Sequence, residues 1–148
     1  MNTAQPPVDH DRDIHAWATQ NAEWLRQGRL GDIDTTHIAE ELDSMGRSLR
    51  RELNSRLRVL LVHLLKWRHQ PPRRGASWRL TIRNQRTEIR ELLEESPSLK
   101  ARLPDSFLRQ YPEARELAAL ETELPATTFP TECPFTLDET LSSGYWPD

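Results

Sequence analysis

The 148-residue chain is short of the features that would narrow its chemistry at once. It has one cysteine, Cys133, which excludes a disulfide framework and a four-cysteine zinc site. Without a partner, that thiol reads as a half-buried loop side chain. It has five glycines, and they form no glycine-rich phosphate loop. No basic stretch followed by an apolar run opens it. Its most apolar window, Leu57–Leu65, is half a membrane span and contains Arg58 and His63. A cytoplasmic protein that does not engage a membrane is the expectation. Hydrophobic residues make up only 36%, so the core must be narrow and the polar surface large. Net charge is almost absent, at -3, which excludes a uniformly basic nucleic-acid binder and an acidic disordered chain.

The charge that is present is segregated. Residues 1–45 hold three Arg against nine acids, a net of -6. Residues 46–90 hold thirteen Lys/Arg against two acids, a net of +11, and residues 91–148 hold four against twelve, a net of -8. The periodicity is helical throughout, and ten of the eleven prolines fall outside the periodic stretches. Helix 1 is predicted over 11–27, with Ile14, Trp17, Asn21 and Trp24 on one face and Gly28 as its stop. Helix 2 is predicted over 35–69, capped by Asp34 or Thr35. Its stripe runs through Ile38, Leu42, Met45, Leu49, Leu53, Leu60 and Trp67, with Gly46 as a place to bend. Pro71-Pro72 ends it. Helix 3 is predicted over 74–95 with Trp78, Ile82, Gln85, Ile89 and Leu92 inward. Helix 4 is predicted over 104–123 with Phe107, Tyr111, Ala114 and Ala118 inward and Pro112 as kink or start. Residues 125–148 carry four prolines with Phe129, Phe135, Tyr145 and Trp146, which predicts an ordered strap with a short helix near Leu137–Leu141. The fold class expected is all-α: a single domain, an antiparallel up-down four-helix bundle with a long central helix hairpin and an extended C-terminal strap.

Several runs carry a family resemblance. They are His37-Ile38-Ala39-Glu40-Glu41-Leu42-Asp43-Ser44-Met45-Gly46-Arg47-Ser48, His63-Leu64-Leu65-Lys66-Trp67, Ser77-Trp78-Arg79-Leu80-Thr81-Ile82, Gln85-Arg86, Ser96-Pro97-Ser98-Leu99, and Phe129-Pro130-Thr131-Glu132-Cys133-Pro134-Phe135-Thr136-Leu137. Together the chain, from about Asp13 to Pro147, resembles the bacterial all-helical "domain of unknown function" family number twenty-nine. The resemblance implies a bacterial origin and an all-α bundle. It implies no agreed activity and no catalytic residue.

Three constellations carry candidate chemistry. Polar residues occupy core stripes: Arg56 and His63 on helix 2, Gln85 on helix 3, Asn21 on helix 1, Tyr111 on helix 4. Registering helices 2 and 3 about Pro71 sets Arg56 level with Arg86 and Glu52 with Arg90, and Glu121 is a further carboxylate for Arg56. This layer reads either as a structural network that fixes register or as a ligand pocket, with His63 as base, Arg56 and Arg86 as anion clamps, and Gln85 and Tyr111 orienting. His37-x-x-Glu40 has a metal-ligand spacing, but no second His/Glu pair faces it, so neither a metal nor a cofactor is expected. Arg79, Arg83, Arg86 and Arg90 form one helix face, and Lys66, Arg68, Arg73 and Arg74 surround the Pro71-Pro72 tip beside Trp67 and Trp78. Acids from helices 1 and 4 are expected to neutralise the arginine face, leaving the tip as the binding site for an acidic protein or a nucleic acid. No nucleophile lies near a His–acid pair, so no catalytic residue is assigned.

Overall fold

A computed structural model describes residues 5–148. Among them it holds five α-helices and no strand: α1 (Ile14–Arg26), α2 (Thr35–His69), α3 (Ala76–Glu95), α4 (Leu103–Thr122) and α5 (Leu137–Leu141). No helix is long and apolar enough to cross a membrane. Contacts divide the chain into two compact units, Met1–Arg47 and Ser48–Asp148.

The first unit is organised by one polar side chain. Asn21 sits on the inward face of α1 with Trp17 and Trp24, and all three are buried. Its amide donates to the Trp17 carbonyl at 2.9 Å, and its oxygen accepts the Asp34 backbone N–H at 2.8 Å. That bond fixes the turn into α2. Asp34 then caps α2, accepting the His37 N–H at 3.2 Å and the Trp17 indole N–H at 3.0 Å. α1 starts at Ile14 rather than 11, because Asp13 takes the cap position and accepts the Ala16 N–H. Ile14, expected inward, is exposed. So are Leu42 and Met45 of the α2 stripe, at 61% and 63%.

The second unit holds the main core. Leu53, Leu57, Leu60, Leu61, Leu64 and Leu65 of α2 are fully buried against Ile82 and Ile89 of α3 and Phe107, Ala114 and Ala118 of α4. α2 is unbroken at Gly46 and α4 is unbroken at Pro112. Pro71–Arg73 form a 3-10 turn after α2, which delays α3 to Ala76. Phe129 and Phe135 of the C-terminal segment are buried in the same core, with Trp146 packed against it. Within that segment Thr136 and Glu139 form a capping box that starts α5.

Candidate functional site

The C-terminal segment has no ladder to satisfy its backbone carbonyls, and side chains of the helices satisfy them instead. Arg86 of α3, only 5% exposed, donates from Nε to the Thr140 carbonyl at 2.9 Å. Its Nη2 reaches the Glu139 and Tyr145 carbonyls at 3.4 and 2.8 Å. Glu139 and Thr140 lie in the last turn of α5, so Arg86 caps that helix. Tyr111 donates its hydroxyl to the Pro130 carbonyl, and Arg115 donates to Phe129 at 2.9 Å. Arg74 donates to the Trp67 and Pro147 carbonyls at 2.7 and 3.3 Å. Burial pulls the Arg86 pKa down, yet a guanidinium stays charged. Burial, with Cys133 beside it, pushes Tyr111 up to about 12, which keeps its donor proton in place. Burial likewise pushes the Cys133 thiol up to about 11, an unreactive state.

The polar residues expected in one layer are therefore distributed. Arg56 meets Glu52 at 3.0 Å, Glu88 at 3.4 Å and Gln85 at 3.4 Å, and with Glu52, Gln85, Ser55 and Val59 it lines a recess of about 250 Å³. It is partly exposed rather than buried, and Glu88 takes the part expected of Glu121. Arg86 lies with the C-terminal segment and Tyr111 with Pro130. His63 donates from Nδ1 to the Val59 carbonyl at 2.8 Å, which leaves Nε2 as the acceptor. Burial lowers its pKa.

At the turn between α2 and α3 the four cations also differ. Lys66 pairs with Glu121 at 3.0 Å and lies 4.9 Å from the Trp78 ring centroid. Arg74 is held by its two carbonyls and over Trp67. Arg68 and Arg73 are exposed. The acids of α4 thus reach α2, where Glu113 also pairs with Arg58 at 2.7 Å. They do not reach the α3 row. Among the described residues no carboxylate lies within 4.0 Å of the nitrogens of Arg79, Arg83, Arg86 or Arg90. The expected neutralisation of that row is absent among the described residues: Glu113 and Glu121 of α4 pair with α2, and Asp105 pairs with Arg109 of α4 itself. The row instead lines a groove of about 680 Å³, together with Ala76, Leu80, Thr87, Ser143 and Trp146.

His10, which carried no sequence signal, is brought to His37 in the first unit. Their rings stack at 4.3 Å, and Trp17 meets His10 edge-on. His10 bonds Asp11 at 2.9 Å and Glu41 at 2.7 Å, which raise its pKa, while His37 bonds Asp34 rather than Glu40. His10, Asp11 and His37 offer ligand atoms within 4.8 Å of one another. The two rings are 13° from parallel, so their nitrogens lie in separate planes and do not converge on one ion.

Over the described residues these features define an all-helical protein whose α3 carries a row of arginines without carboxylate partners. A family profile, the domain of unknown function DUF29, matches residues 10–146, and the chain belongs to that family. No curated protein and no solved structure matches it significantly.

Proposed function

We propose that this bacterial, cytoplasmic protein is a non-enzymatic module that binds a polyanionic macromolecule, an acidic protein or a nucleic acid, through the α2–α3 hairpin. Within it we read α2, α3 and α4 as up-down members of a bundle and segment 125–148 as a strap, in one domain. One observation carries the functional reading: the hairpin presents arginines, exposed Arg68 and Arg73 at the turn and the row along α3, that have no carboxylate partner among the described residues. Lys66 and Arg74 belong to this turn but act mainly in holding it, through Glu121, Trp67 and Pro147. Uncompensated arginines on one face attract polyanions and release their counterions on binding.

The alternative, a small-ligand site or enzyme around His63, Arg56 and Arg86 with Gln85 and Tyr111, draws less support. Each of those groups is committed to a backbone carbonyl or a neighbouring side chain, and they do not converge. Fluorescence anisotropy with a labelled polyglutamate peptide and a labelled oligonucleotide tests the leading reading at about 50 mM salt. At least one is expected to bind, and Arg68→Ala with Arg73→Ala to weaken it. Failure of both polyanions contradicts the proposal.

A further inference from the structure

We propose that the groove along α3 is a site for single-stranded nucleic acid, with successive phosphates on Arg79, Arg83 and Arg90 and a base against Trp146 and Leu80. The inference rests on the reading of the hairpin as a polyanion surface, and it names the polyanion. The cations recur at intervals of four, three and four residues, so they run about 16 Å along the helix at 1.5 Å per residue. A row of that length suits a linear chain of charges better than one compact phosphate.

Arg86 gives the row a fixed floor. Its Nε and Nη2 are held by three carbonyls, none of them anionic, and Nη1 takes no part in those bonds. The groove therefore carries a buried, oriented charge with no counter-charge in its lining. An arriving anion meets a guanidinium already in position, with little side-chain entropy left to lose. Thr87 and Ser143 add hydroxyls to the wall. The lining also offers the exposed Leu80 and part of the half-buried Trp146, whose ring packs on Trp67 at 4.8 Å and lies 5.6 Å from the Arg86 guanidinium. A single strand carries a phosphate and a flat ring on every unit, which matches a cationic row with one aromatic and one exposed aliphatic side chain beside it. An acidic peptide supplies the charge and no ring. A duplex supplies the charge with its ring faces stacked away.

The test is anisotropy of a short labelled oligothymidylate with the full chain, against the same sequence as duplex, a polyglutamate peptide, thymidine triphosphate and inorganic phosphate. Three phosphate contacts predict a log–log salt slope of about -2. Arg83 and Arg90 are exposed, so Arg83→Glu with Arg90→Glu leaves the core intact. That double variant is expected to weaken binding about tenfold or more, and Arg102→Glu, outside the groove, by less than about twofold. Photocrosslinking of a bromouracil-substituted strand is expected to map to Trp146 or a groove neighbour. Crosslinks only outside the groove, equal loss in Arg102→Glu, equal binding of duplex, or equal competition by the triphosphate or inorganic phosphate would overturn the inference. Binding of polyglutamate without the oligonucleotide overturns it while the broader hairpin reading stands. Binding of neither ends both.

Discussion

Arg86 joins the end of α5, Tyr145 and α3 through a single guanidinium. Removing it strands three carbonyls, at least one on the fully buried Thr140. Arg86→Ala is expected to cost about 2–4 kcal/mol in urea unfolding, and Arg86→Lys to recover little, because an ammonium lacks the fork. A loss under about 0.5 kcal/mol would contradict the capping role. Arg56 differs. Its carboxylate partners Glu52 and Glu88 are each more than 40% exposed, so Arg56→Ala is expected to cost only about 0–1 kcal/mol. The deep burial expected from its stripe position would have made that several. His10 supplies a pH signature. Its hydrogen bonds to Asp11 and Glu41 raise its pKa above 6.5, and the bond to His10 lowers that of Asp11 below 3.8. Folding is therefore helped between those limits. The help fades as pH rises through the folded His10 value and as it falls through that of Asp11. Melting temperature is expected to drop from mildly acidic to mildly alkaline pH, and His10→Gln to flatten that drop. An unchanged profile in the variant would count against the cluster.

At the scale of the element, α2 was the most legible part of the sequence. Its bounds, Thr35 to His69, follow from the Asp34 cap and Pro71-Pro72, both local signals. α5 was equally local, set by the Thr136–Glu139 capping box. Burial along α2 was not legible, because the stripe has the same period at Leu42 and Met45 as at Leu53 and Leu60. Periodicity shows which face is apolar, not whether anything covers it. The arginine row was legible as a face of α3. Its lack of partners was not, since that depends on which helix the α4 acids meet. His10 was missed because its neighbours His37 and Glu41 are far along the chain. Gly46 offers a check on α2. It is helical, and a Cβ there meets nothing within 4 Å. Gly46→Ala is expected to stabilise by about 0.5–1 kcal/mol, and a destabilised variant would show that α2 needs to bend there.

Across the whole molecule, a net charge of -3 conceals a division of labour among the cations. Arg58 and Lys66 are neutralised by α4, Arg74 and Arg86 hold carbonyls of the C-terminal segment, and the rest of the α3 row has no carboxylate partner among the described residues. Charge segregation is thus partly internal complementarity and partly an outward surface. That surface should be salt-sensitive: affinity for a polyanion is expected to fall steeply with ionic strength while folding stability changes little. Nε–Hε resonances of arginine-labelled protein, followed while single-stranded oligonucleotide is added, address the central claim most directly. The account predicts saturable shifts at Arg79, Arg83, Arg86 and Arg90, with Arg58 and Arg115 unmoved. Binding at saturation that leaves all four unshifted would contradict it.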